Sequence, residues 1–390
     1  MLSLRERLEN RTGRTTYIET GISKMTQKSR ATVTTDIMKS EVREFDLPEI
    51  PPDAGLLKIE AAGICGSDWQ NYQTNKTPRI MGHENVGRVV KLGPLAERNW
   101  MLKIGDRIAL EEYLPCGQCA LCRSGDFRLC AATERRGAEK TVLRYGTSPI
   151  AMPPSLWGGY SEYMYLHPHS VIHRVRDDVP AHHLAMSIPM SNGVQWTQYD
   201  AGVKMGQSVL IQGPGQQGLA AVLAAKRLGA KQILVSGLTR DASRFEVAKK
   251  FGAHDVIDVE KEDLIEKVYD LTGGKGVDAA LDLAGGPTTL VDGIRAVRKN
   301  GTVVFASGDI IPNFPANEMN AKRVTLKAVR GHSYQAVETA IEMISSGDHP
   351  IELMATHQFA LNEVDLAIRS IGGQGLPGVI HVSIIPSRAF

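Results

Sequence analysis

A chain of 390 residues is long enough for two domains, each with its own core. Its 45 basic and 43 acidic residues leave a formal charge of +2, which gives no general attraction to nucleic acid or anionic membranes. Apolar residues at 42% and charged residues at 23% are the proportions of a soluble globular protein, and no apolar run nears the roughly 18 residues of a membrane span.

Residues 1–24 lack the apolar stretch of a secretory signal, and their glutamates argue against an organelle-targeting peptide. They read as an exposed extension before a domain that begins near Met25, and the cytoplasm, with reduced thiols, is the expected compartment. Further on, "AAGICGSDWQ" sets Cys65 between Gly63 and Gly66, and "MGHENVG" sets His83 and Glu84 between Gly82 and Gly87. Both segments read as tight turns at strand ends. Alone, Cys65 would more often be a small buried hydrophobe and His83 a hydrogen-bonded core residue. Together with Glu84 they offer a thiolate, an imidazole and a carboxylate, all of which zinc accepts. Ser67 and Asp68 add a hydroxyl and a carboxylate beside Cys65, and Asp68 is placed to orient the imidazole of His83.

Four of the five cysteines fall within Pro115–Cys130. Cys116, Cys119, Cys122 and Cys130 follow C-x2-C-x2-C-x7-C, which suits a tetrahedral zinc with a closed shell. Disulfides at such short spacings are geometrically awkward. An iron–sulfur run would end in a shorter gap and a proline, and a zinc-ribbon nucleic-acid module would need a basic face. The stretch "ERRGAEK" after it reads as a solvated loop. Trp157, Tyr160 and Tyr163 in "AMPPSLWGGYSEYMYL" suit a pocket or an oligomer contact, but such aromatics are more often packing, and no site is assigned to them.

"SVLIQGPGQQGLAAVLAAKRLGA" reads as a strand over Ser208–Gln212, a glycine turn, and a helix over Leu219–Leu228. Gly213, Gly215 and Gly218 form G-x-G-x-x-G in the strand-to-helix setting that lets a dinucleotide pyrophosphate meet a helix N-terminus; these three with Gln217, and Gly237 and Arg240 further on, are the candidate cofactor-binding residues. The next strand, "QILVSG", ends at Gly237, where an NAD site usually has an acidic residue. The missing charge, with Arg240 three residues on, leans towards NADP. Asp241 points the other way, and Arg240 and Arg244 also read as solvated helix-start charges. Strand–helix alternation continues through "TVVFASG", as in a doubly wound parallel sheet, and after about Arg330 the pattern changes to amphipathic helices.

The segments "GICGSDW", "GHENVG", the four-cysteine loop and "GPGQQG", in that order, make the chain similar to zinc-dependent medium-chain alcohol and polyol dehydrogenases from about Met25 to the C-terminus. The resemblance implies an α/β protein with a GroES-like, mainly-β catalytic domain (residues 25–191 and 331–390) and a Rossmann cofactor domain (192–330). It implies Cys65, His83 and Glu84 as ligands of a catalytic zinc, a second structural zinc, NAD(P), and Ser67 as the acceptor of the alcohol proton. The expected partners are a small alcohol or ketone and further copies of the chain, as homodimer or homotetramer, with no nucleic acid and no membrane. Two departures stand out. Ile188 occupies the place of a further zinc ligand in many relatives, and Gln70 replaces a proton-relay histidine. They motivate an alternative, a catalytically weak nucleotide-binding member with a regulatory role, against which the joint presence of Cys65, Ser67, His83 and Glu84 argues.

Overall fold

The computed structural model describes residues 27–133, 142–306 and 314–388. The expected extension over residues 1–24 and the expected loop over 134–140 lie outside the described residues.

Two sheets organise the molecule. In the first, Gly55–Gly63 is the hub, pairing antiparallel with Glu84–Leu92, with Tyr163–Leu166 and with His381–Ile384. Arg107–Leu110 and Ile172–Arg174 extend it beyond Glu84–Leu92, and Ala355–Phe359 extends it beyond His381–Ile384. The C-terminal strands thus return to the sheet that the N-terminal part began. Gly87 lies inside a strand here and not in a turn. A Cβ on it would sit 2.2 Å from the carbonyl oxygen of Lys58, so only glycine lets the two strands approach.

The second sheet has six parallel strands in the order Asp255–Asp258, Gln232–Gly237, Ser208–Gln212, Val277–Asp282, Val297–Phe305 and Thr325–Ala328. Numbered within the sheet this is 3-2-1-4-5-6, the order of a doubly wound dinucleotide fold. Its central strands, Gln232–Gly237, Ser208–Gln212 and Val277–Asp282, are buried almost throughout because both faces are covered. Val209 and Ile211 pack on one side and Leu210 on the other, as a two-residue period requires. The first of these cores also takes in Ala61, Val86 and Ala109 of the mainly-β sheet, so the two halves share packing.

One helix boundary differs from the sequence reading. The helix after the glycine turn runs over Gln216–Arg227, three residues earlier than expected, because Gly218 lies within its first turn. The helix Thr289–Ala296 runs straight into the next strand, and Val297 already pairs with Val277. No helix among the described residues is long and apolar enough to cross a membrane.

Candidate metal centres and cofactor cleft

Cys65 ends the turn that follows the hub strand and caps the helix Gly66–Thr74. His83 and Glu84 arrive from the start of the neighbouring strand, after Gly82 at φ +93°. The pairing of the two strands sets Gly63 opposite Glu84, which draws the two short motifs together. One ligand atom from each of Cys65, His83 and Glu84 lies within 4.8 Å of the others.

Asp68 organises this group. It is almost fully buried; its Oδ2 accepts the backbone N–H of Cys65 at 3.0 Å and the hydroxyl of Tyr160 at 3.0 Å. Its Oδ1 stands 3.4 Å from His83 Nδ1, which leaves the other ring nitrogen for a metal. Burial opposes the charged imidazole, but Asp68, Cys65 and Glu112 outweigh it and hold His83 well above its ordinary pKa. A pocket that raises a histidine this way attracts positive charge, whether a proton or a divalent cation. The donor set and the field therefore fit zinc. No local signal in the sequence announces the contact of Tyr160 with Asp68.

Ser67 lies in the first turn of the same helix and is half-buried, and its hydroxyl has no hydrogen bond among the described residues. Gln70 is exposed on that helix. Ile188 is buried in the helix Ser187–Val194 and offers no donor.

The four-cysteine loop closes on itself. Cys116, Cys119, Cys122 and Cys130 bring their sulfurs within 4.8 Å of one another, with Cys119–Cys122 at 3.5 Å and Cys116–Cys122 at 3.9 Å. Tetrahedral zinc with Zn–S bonds of about 2.3 Å needs sulfurs about 3.8 Å apart, so the loop fits that ion. Backbone N–H groups of Gln118 and Cys119, then the Cys130 thiol, draw the pKa of Cys116 down to about 6, while burial pushes Cys122 up. The loop thus favours thiolate character at one end and needs the ion to complete it at the other.

The glycine motif is used position by position. Gly213 takes φ +96° and passes Ala284 so closely that a Cβ would lie 3.0 Å from it. Gly215 caps the helix and faces open space, and a Cβ on Gly218 would stand 1.9 Å from the Gly213 carbonyl. A cleft of about 800 Å³ opens here, lined among others by Gly213, Gly215, Gly237, Arg240, Asp241 and Arg244. Gln217 is in the helix's first turn, outside that lining. Asp241 fills the space beside Gly237: its carboxylate accepts the Leu238 N–H at 3.1 Å and pairs with Arg244 at 3.0 Å. A Cβ on Gly237 would meet Pro214 at 2.8 Å, so this glycine answers first to packing. Arg240 is exposed on the cleft wall.

Residues 51–177 match the family model described as alcohol dehydrogenase GroES-like domain, and residues 218–346 match that described as zinc-binding dehydrogenase. A probable alcohol dehydrogenase of Mycobacterium tuberculosis is 34% identical over 356 residues, covering 88% of this chain and 95% of its own. An L-threonine 3-dehydrogenase of Pyrococcus horikoshii is 31% identical over 331 residues, covering 82% and 88%. The crystal structure of an alcohol dehydrogenase from Thermotoga maritima superposes with a TM-score of 0.80 at 24% identity, covering 93% of this chain and all of the other, a likeness of fold. With both halves matched and relatives alike along most of their length, the chain belongs to the zinc-dependent medium-chain dehydrogenase/reductase family.

Proposed function

We propose that the protein is a zinc-dependent alcohol dehydrogenase that exchanges a hydride between the carbinol carbon of a small secondary, polyol or cyclic alcohol and NAD(P). The convergence of Cys65, His83 and Glu84, apart from the four-cysteine loop, carries this reading. Zinc bound there would supply Lewis acidity towards a substrate oxygen. Around it, Asp68 fixes the Cys65 backbone and faces the His83 ring. Ser67, two residues beyond Cys65 and free of other bonds among the described residues, accepts the hydroxyl proton. Gln70 cannot cycle that proton onward, so the relay ends elsewhere. The glycine turn and the cleft beside it hold the dinucleotide, with Arg240 available for a 2′-phosphate, which keeps the lean towards NADP.

The same reading assigns residues 25–191 and 331–390 to the catalytic domain and 192–330 to the cofactor domain. Two zinc ions per chain, cytoplasmic residence and a homodimer or homotetramer belong to it as well. The names of the relatives, alcohol dehydrogenase and L-threonine 3-dehydrogenase, support the substrate class. A turnover screen across secondary, polyol and cyclic alcohols and their ketones, with NAD and with NADP, tests it. Turnover that a chelator abolishes and zinc restores is expected; full turnover in metal-free protein, or none with any alcohol, overturns it.

A further inference from the structure

Glu84 has a further neighbour, contributed by the C-terminal part of the chain. His381 is fully buried at the start of the strand His381–Ile384, which pairs with the hub strand through Ser383 and Gly63. Its Nε2 stands 3.4 Å from Glu84 Oε2. The strand between them is bare: a Cβ on Gly63 would lie 2.4 Å from Glu84 Oε2 and 2.8 Å from His381 Nε2. Any side chain there would displace one or both groups. Glu84 Oε1 is buried without a hydrogen-bond partner among the described residues, a costly state for a carboxylate oxygen unless something else binds it. His381 itself is not among the three residues whose ligand atoms cluster.

We propose that His381 is a positioning residue for the metal ligand Glu84. Its Nε2–H donates to Oε2 and holds the carboxylate so that Oε1 is the oxygen left for the ion. The proposal rests on the reading of Cys65, His83 and Glu84 as a zinc site. With Ile188 unable to ligate, the site has three protein donors in that set, and each must be well aimed. Partners that orient a ligand in this way are worth about 10–100-fold in metal affinity.

The test uses the full chain, with zinc counted per chain, catalytic-site affinity measured by chelator competition, and the absorption spectrum recorded after cobalt exchange. His381→Leu is expected to lower catalytic-site affinity about 10–100-fold and alter the cobalt spectrum while the four-cysteine ion stays bound. His381→Gln, which can return an N–H donor at similar reach, is expected to recover most of the loss. The proposal is overturned if His381→Leu stays within about twofold of wild type, or if His381→Gln falls as far as His381→Leu. Should His381→Leu lose its fold and both ions, His381→Gln is compared with His381→Asn, whose shorter amide is expected to bind zinc more weakly; equal affinities overturn the proposal. Wild-type protein holding zinc in the four-cysteine loop alone overturns the zinc reading, and this proposal with it. Two zinc ions in wild type and an unaffected His381→Leu overturn this proposal alone.

Discussion

Glu111 and His332, 221 residues apart, meet in the interior with His332 Nε2 2.9 Å from Glu111 Oε1. Around them gather Arg128 of the four-cysteine loop, 3.5 Å from Glu111, and His173, 3.6 Å from it and paired in turn with Glu338. The other ring nitrogen of His332 is 2.9 Å from the Asn192 side chain, an amide that can turn its N–H towards an unprotonated ring. His332 sits where the chain leaves the parallel sheet for the helix Tyr334–Ser345, so the cluster ties that crossing to the mainly-β sheet and to the cysteine loop.

Acid sensitivity follows from this cluster. Burial and Arg128 hold His332 down at about 4 against the pull of Glu111, below its ordinary 6.5. Burial acts to raise Glu111, but His332, His173 and Arg128 outweigh it and keep its carboxyl well below the usual range. Both folded values are depressed, so the stability they contribute is full above the unfolded values and is lost as pH falls. For His332 the window is pH 6.5 to 4 and the full loss about 3 kcal/mol. His173 is raised and contributes with the opposite sign, its share being lost as pH rises through its raised value. Chemical denaturation at several pH values should show His332→Gln less stable at pH 7 but flatter than wild type between pH 6.5 and 4. Equal slopes would remove His332 as the source.

Glu111→Ala should cost about 3–5 kcal/mol, since it leaves the largely buried Arg128 side chain without its carboxylate and His173 with Glu338 alone. The urea midpoint at pH 7 measures it.

Metal content should separate the two centres. Cys119→Ser is expected to lose one zinc per chain and much of the folding stability that a closed thiolate site contributes. His83→Ala should also lose one zinc, abolish turnover, and keep its circular dichroism. An active wild-type enzyme with one zinc or none would contradict both expectations.

Proton transfer should depend on Ser67. Ser67→Ala is expected to lower turnover about 100-fold with much smaller changes in substrate and cofactor affinity, the scale of a positioned proton-transfer group. Ser67→Thr keeps the hydroxyl and should retain most activity. Gln70→Ala, on an exposed position, should change the proton step little. The pH dependence of turnover in the three variants provides the check.

Cofactor choice is best tested at Arg240. Gly237→Asp would confound the result, because its Cβ would press on Pro214 and its carboxylate on Asp241. Arg240→Ala should raise the KM for NADP about tenfold, the worth of one charged hydrogen bond to phosphate, and leave NAD within about twofold. Equal effects on both cofactors would show that Arg240 does not read the 2′-phosphate.

What could be read from the sequence is what short spacing encodes. Cys116, Cys119, Cys122 and Cys130 are close in the chain, so their convergence needs only a bend of the loop. Gly213, Gly215 and Gly218 act within one turn, and the alternation of strands and helices after Ser208 follows local periodicity. Cys65 and the His83–Glu84 pair were legible as motifs, but their meeting depended on the pairing of Gly63 with Glu84 across two strands. Asp68 beside His83 was legible, but the distant partners of the site were not. Tyr160 reaches Asp68 from 92 residues away and His381 reaches Glu84 from 297. Nothing in the periodicity around a tyrosine or a histidine names a partner that far along the chain. The surroundings of Gly237 were not legible for the same reason, since Pro214 and Asp241 fold over it. Local conformational preference and ligand spacing are properties of a segment. Which polar group satisfies which other one in the interior is decided only when the sheets pack and water is excluded.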